Sequence, residues 1–144
     1  MAAAALTAVG LGAAGCGQRT DDDLTVDAVW ARATPAVASV GAIYLRVTSP
    51  VDDELVGATV DAAVAESVQL HSTDIDDAGT ATMTEQLSLP IDAGGELELD
   101  PLGTHLMLVG LADPLTVGER FAVTLQFTEA GEVTAEVEVR DTEP

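Results

Sequence analysis

The chain has 144 residues, of which 47% are hydrophobic and 3% aromatic, and its formal net charge is −20. The length fits one domain with a sizeable core, and the mean hydropathy of +0.28 argues against a largely disordered chain. All five basic residues are arginines, too few to neutralise many phosphates, which argues against binding to nucleic acid or to anionic lipid. The acidic surface either maintains solubility or attracts cations or a basic partner.

The first 16 residues are predicted to be a secretion signal that ends at a cysteine. Residues 2–15 form an apolar run, shorter than the roughly 20 residues needed to span a bilayer. The run closes in AAGC, which resembles the lipobox of bacterial lipoproteins, although leucine is more usual at the position of Ala13. We therefore expect lipidation at Cys16, a polar tether over 17–23 and an extracytoplasmic location, in the periplasm or on the outer face of the cell membrane. The lipid would be the only membrane contact. An ordinary signal peptide followed by a chance cysteine is the alternative.

From residue 24 onward, short segments that alternate apolar and polar residues are separated by turn signals. Nine segments are predicted to be β-strands: 24–33, 42–49, 54–61, 66–74, 80–89, 95–100, 103–111, 120–128 and 132–140. Turns are predicted at 76–79 and 129–131, and no segment has the period of an amphipathic helix. Many short strands with regular turn signals are typical of a β-sandwich or barrel. The sequence therefore predicts an all-β domain over 24–140, followed by a short acidic tail at 141–144.

Both histidines and both internal methionines lie in three of the predicted strands, 66–74, 80–89 and 103–111. A hairpin centred on residue 77 would place His71 directly opposite Met83, with Cβ atoms about 4.5–5.5 Å apart. His105 and Met107 are two residues apart on one strand, so they share a face. The two pairs can converge if the hairpin packs beside the third strand. Any one of these side chains could be an ordinary core residue, but the grouping of all four favours a metal site.

The types of these side chains indicate which metal they would hold. Thioether sulfur and neutral imidazole suit Cu(I), whereas zinc would be expected to recruit thiolates or carboxylates. A blue copper site needs a cysteine in the domain, and Cys16 precedes it. Haem with histidine and methionine ligands is chemically possible, but the chain has no CxxCH motif and few aromatic residues to line the pocket.

The segment from His71 to Met107 reads His-x11-Met-x21-His-x-Met, and this pattern resembles the signature of the periplasmic copper chaperones called PCu(A)C. Four flanking segments resemble the same family: VWARATPA at 29–36, GAIYLRV at 41–47, THLMLVGLADPLTVGE at 104–119 and EAGEVTAEVEV at 129–139. The likeness therefore extends over about residues 24–140, almost the whole of the chain after the predicted signal and tether.

The resemblance implies a cupredoxin-like, Greek-key β-sandwich of about nine short strands that binds one Cu(I) and has no enzymatic activity. The implied ligands are His71, Met83, His105 and Met107. Members of the family deliver copper for the binuclear centre of cytochrome c oxidase, so the implied partner is a copper acceptor, such as oxidase subunit II or another copper chaperone. Ser72 stands where many members have methionine, and the C-terminal segment RDTEP lacks the histidines and methionines of a second copper site.

Two other functions remain open at this stage. The domain could be a metal-free protein-interaction module, or it could store or buffer copper without delivering it. If copper is bound, acid is expected to release it, because a protonated imidazole cannot ligate a metal. On the strand at 103–111, Leu106 and Leu108 are expected to face the core, with His105 and Met107 pointing outward near the surface.

Overall fold

The computed structural model describes residues 24–101 and 103–142, and the regular secondary structure of these residues consists of β-strands alone. None of the described residues forms a helix that could cross a membrane. The predicted signal, Cys16 and the tether lie outside the described residues, as do the last two residues of the predicted tail. The ten strands are β1 Thr25–Arg32, β2 Val40–Ser49, β3 Asp53–Val60, β4 Ala65–Ile75, β5 Ala81–Gln86, β6 Leu89–Ile91, β7 Gly95–Leu99, β8 His105–Leu111, β9 Arg120–Phe127 and β10 Gly131–Arg140.

The strands bury one face because apolar and polar residues alternate along them. In β9, Val123 and Leu125 are fully buried, while Thr124 between them is less buried. In β10, Val137 and Val139 are buried in the same way. Val and Leu at every second position place one hydrophobic row toward the interior, and burying each such side chain contributes about 1.5–3 kcal/mol.

The strands form one hydrogen-bonded series in the order β5-β4-β8-β2-β1-β10-β9-β3-β6, and β7 pairs with the second half of β2. Buried side chains from both ends of this series belong to one core cluster, so the sheet folds over itself into two layers. Leu70 and Leu108 contribute from one end, and Leu55 and Ile91 from the other. The prediction of an all-β, cupredoxin-like sandwich is confirmed.

The number of strands differs from the prediction because the segment 80–89 contains two strands. Strand β5 is exposed along almost its whole length and pairs with β4. After the exposed Leu87, the chain crosses to the opposite end of the series, where Leu89 and Ile91 are buried and β6 pairs with β3. The alternating pattern continues across this crossing, which is why the sequence reads as one strand.

The β4–β5 hairpin also turns one residue later than predicted. Ile75 pairs with Ala81, so the centre of the loop is residue 78 and not 77. The Asp76 carboxylate accepts hydrogen bonds from the backbone N–H groups of Ala78 and Thr80, and Gly79 has a φ of +82°. Aspartate and glycine therefore shape a five-residue loop, in which glycine adopts the left-handed conformation that other residues avoid.

Candidate metal site

The site is built around a row of rings on the face of the sheet that points away from the core. Trp30, Tyr44, His105 and His71 stand side by side on β1, β2, β8 and β4, because the strand register pairs Trp30 with Tyr44 and His71 with His105. The ring centroids are 4.8 Å apart for Trp30–Tyr44, 6.4 Å for Tyr44–His105 and 6.0 Å for His71–His105. The two imidazoles are thus neighbours, and aromatic contacts hold the row in place.

His105 is held in one orientation and in one tautomer. The residue is only 4% exposed, and Nδ1 of its ring lies 3.2 Å from the carbonyl oxygen of Gly103. A carbonyl can only accept a hydrogen bond, so Nδ1 carries the proton. Nε2 is then left with a free lone pair, the arrangement that metal-ligating histidines commonly have.

His71 offers its other nitrogen. Its Nε2 lies 2.8 Å from the side-chain oxygen of Gln69, so Nε2 donates and Nδ1 holds the lone pair. This Nδ1 is buried and has no hydrogen-bond partner among the residues that the structure describes. A buried nitrogen without a partner costs about 1–3 kcal/mol, and a metal ion bound to it would remove that cost.

The two methionines differ in exposure and lie beside His105. Met107 is half-buried and lies next to Ala42 on β2, whereas Met83, on the edge strand β5, is 55% exposed. Both methionines and His105 line one cavity of about 310 Å³. His71 is not part of the cavity wall and joins the group through its stacking contact with His105. All four predicted ligands therefore lie on one face of three adjacent strands.

The prediction that His71 lies directly opposite Met83 is wrong, but the two side chains do lie on the same face of the sheet. Met83 lies opposite Thr73, and Glu85 lies opposite His71. When the centre of the hairpin moves by one residue, the residue opposite a given position changes by two. Residues two apart on a strand share a face, so the face stays the same. His71 and Met83 are consequently diagonal neighbours, which in an antiparallel pair are about 7–8 Å apart.

The two-faced interpretation of β8 is right about direction and wrong about exposure at one residue. Leu106 and Leu108 are fully buried in the core, and His105 and Met107 point to the opposite face. His105 nevertheless lies buried, because Tyr44 and His71 flank it on the neighbouring strands. A molecule from solvent therefore reaches His105 past the more exposed methionines.

The donor set itself restricts the metal that fits. Among residues 24–101 and 103–142, no group of three or more His, Cys, Asp or Glu side chains is arranged to hold a metal ion. A hard or borderline ion that needs three such ligands does not fit this face. Two imidazoles and two thioethers are neutral and soft, which fits a soft monovalent ion such as Cu(I).

Sequence reasoning missed the residues that support this group. Gln69 fixes the tautomer of His71, Tyr44 packs on His105, and Arg32 lines the cavity. Burial raises the pKa of the Tyr44 hydroxyl; the Arg32 guanidinium opposes this rise, and Asp100 adds to it by a smaller amount. Tyr44 is therefore a neutral phenol at neutral pH. Alternation along each strand could have found Arg32 and Tyr44, since the residues that precede them, Ala31 and Ile43, face the core.

Comparison with known proteins agrees with this architecture. Residues 24–139 match the family described as "Putative lipoprotein LpqE-like". A relative from Leifsonia xyli subsp. xyli, named "Putative lipoprotein Lxx21020", is 35% identical over 121 residues, which is 83% of this chain and 71% of the relative.

Solved structures, among them a PCuAC domain, have the same fold. The copper-bound PCuAC domain from PmoF2 is 25% identical, with a TM-score of 0.68 over 83% of this chain and 93% of that one. Apo-DR1885 from Deinococcus radiodurans is 31% identical, with a TM-score of 0.63 over 99% of this chain and 95% of that one. The Cu(I) form of DR1885 is 28% identical, with a TM-score of 0.60 over 90% and 84%. The chain is thus a member of the LpqE-like family and has the fold of the PCuAC type.

Proposed function

We propose that this protein is an extracytoplasmic copper chaperone that binds one Cu(I) through His71, Met83, His105 and Met107. The observation that carries the proposal is the buried Nδ1 of His71, which has no hydrogen-bond partner among the described residues. The ring of His71 stacks on that of His105, which lines a cavity together with the two thioethers. The copper-bound PCuAC domain from PmoF2 and the Cu(I) form of DR1885, which share the fold, support copper binding.

The proposed site suits capture and release and gives no basis for catalysis. Four neutral ligands leave the single charge of Cu(I) uncompensated, so an acceptor with an anionic ligand has an electrostatic advantage. Met83 is the most exposed of the four and lies on an edge strand, so it is the ligand that an acceptor reaches first. Thioethers cannot form disulfides, which suits an oxidising compartment.

A Cu(I) titration under reducing conditions tests the binding step. In competition with a chromophoric Cu(I) chelator, the purified protein should bind one equivalent of Cu(I), and the affinity should fall as the pH is lowered. The physical reason is that protons compete with the metal for the lone pairs of His71 and His105. Absence of binding near one equivalent would instead favour the metal-free interaction module.

The proposed destination is the binuclear copper centre of cytochrome c oxidase, reached directly at subunit II or through another copper chaperone. The test is to mix the Cu(I)-loaded protein with the purified copper domain of subunit II and to separate the two proteins by charge. The net charge of −20 makes the chaperone easy to resolve. Copper should appear in the acceptor fraction. Copper that stays with the donor, even with excess acceptor, would favour storage or buffering.

We also propose that lipidation of Cys16 holds the domain at the membrane. The AAGC sequence and the lipoprotein names of the family and of the relative from Leifsonia xyli support this. In cells that express the full chain, the wild-type protein should sediment with membranes, and Cys16→Ala should not. Sedimentation of Cys16→Ala together with the membranes would contradict the anchor.

A further inference from the structure

The cavity beside the four proposed ligands is larger than a copper ion needs. Its volume is about 310 Å³, and most of its wall is made of residues that are not ligands. Pro35, Val40 and Ala42 make part of this wall apolar, while Arg32 and Thr34 make part of it polar. The cavity has room for a side chain from another molecule next to the sulfur atoms of Met83 and Met107.

Arg32 gives this cavity a positive charge in a strongly acidic protein. Of the residues lining the cavity, Arg32 is the one with a permanent charge. The salt bridges in the described part of the chain involve Arg46, Arg120 and Arg140, and none involves Arg32. Burial raises the pKa of Tyr44, a second residue of the wall; the Arg32 guanidinium opposes this rise, and Asp100 adds to it by a smaller amount. The net charge of −20 repels anions elsewhere, and Arg32 offsets that repulsion here.

We propose that the cavity admits the incoming thiolate of a copper acceptor and that Arg32 is a positioning residue for its negative charge. The inference rests on the proposed function, because it concerns how copper leaves the same site. A thiolate is the occupant that the wall favours, since its charge complements Arg32 and its soft sulfur prefers Cu(I). A neutral imidazole or thioether would gain nothing from a cation in the wall.

The transfer step is a ligand exchange without electron transfer. The thiol of the acceptor loses its proton to solvent, and the thiolate sulfur forms a bond to Cu(I). The Cu–S bond to Met83 then breaks, and Met83 leaves as a neutral thioether. The charge of the metal group changes from +1 to zero, and copper stays Cu(I) throughout.

The test compares two arginine variants of the copper-loaded protein. Arg32→Gln removes the charge in the cavity. Arg46→Gln removes an equal charge elsewhere, from an exposed pair with Asp27, so both variants have the same net charge. Each protein is loaded with Cu(I), freed of excess metal and mixed with one of two probes at low salt. Dithiothreitol attacks as a thiolate, and neocuproine attacks as a neutral diimine. Stopped-flow absorbance follows the Cu(I)–thiolate or Cu(I)–neocuproine product.

Arg32→Gln should slow transfer to dithiothreitol by roughly fivefold, and the effect should shrink as salt screens the charge. Arg46→Gln should leave this rate within about twofold, Arg32→Lys should restore it, and neither glutamine variant should change transfer to neocuproine. The inference is overturned if Arg32→Gln behaves like Arg46→Gln or slows both probes equally. If the wild-type protein retains no Cu(I) after loading, the proposed function itself is wrong and the inference falls with it.

Discussion

Met107→Leu should lower the Cu(I) affinity of the protein by roughly 100-fold or more while the fold survives. Leucine has nearly the volume of methionine, and such swaps usually cost less than about 1.5 kcal/mol of stability. The change removes one soft donor from the cavity that His105 and Met83 also line. Loss of a residue that merely supports a ligand typically costs about 10–100-fold in metal affinity, so loss of a ligand should cost at least the upper end of that range.

The matched control lies one residue away on the same strand. Leu108→Met makes the reverse exchange on the face that is buried in the core. It should leave the Cu(I) affinity unchanged, because the added sulfur points away from the histidines. Competition titrations of both variants, with circular dichroism to check the fold, give the comparison. An affinity in Met107→Leu equal to that of the wild type would contradict the ligand assignment.

Leu106→Ala should lower the free energy of unfolding by about 2–5 kcal/mol. Leu106 lies between His105 and Met107 in the sequence, but its side chain is fully buried in the core cluster together with that of Leu108. Truncation removes apolar contacts and leaves a void in an interior that is packed at crystal-like density. For a domain of this size, such a loss is a large fraction of the total stability. Urea unfolding of the metal-free protein measures it.

The control for this experiment is Val109→Ala, which truncates a half-buried side chain on the same face as Met107. It should cost clearly less, because less apolar surface returns to water. Excess Cu(I) should raise the unfolding midpoint of Leu106→Ala, since a ligand that binds only the native state stabilises it. A loss of less than about 1 kcal/mol for Leu106→Ala would contradict the claim that the inward face of β8 stabilises the fold while the outward face binds copper.

The faces of the strands could be predicted from the sequence because they depend on a period of two. Leu106 and Leu108 point inward, and His105 and Met107 point to the opposite face, as alternation requires. The same rule kept His71 and Met83 on one face although the predicted pairing was wrong. Errors of two residues in register are invisible to a pattern that repeats every two residues.

The register of the β4–β5 hairpin could not be predicted because it depends on the conformation of one loop. The segment 76–79 contains two aspartates and a glycine, and several turns are compatible with it. The structure selects the turn in which Asp76 accepts two backbone hydrogen bonds and Gly79 takes a positive φ. The separate strand β6 was missed for a related reason. The alternation of apolar and polar residues continues unchanged where the chain crosses to another part of the sheet.

The supporting residues of the site were missed for two different reasons. Tyr44 meets His105 only because β2 lies between β1 and β8. Gln69 was missed although it is two residues from His71, because a glutamine in a strand is usually a solvated side chain. These contacts decide which nitrogen of each histidine is free.

X-ray absorption at the copper edge of the Cu(I)-loaded protein shows directly whether the four proposed ligands hold the metal. It reports the oxidation state and the number and type of atoms bound to the metal. One Cu(I) held by His71, Met83, His105 and Met107 predicts two sulfur and two nitrogen neighbours, and the sulfur signal should fall by half in Met107→Leu. Copper bound by nitrogen and oxygen alone, or a sulfur signal that Met107→Leu leaves unchanged, would contradict the assignment of these four ligands.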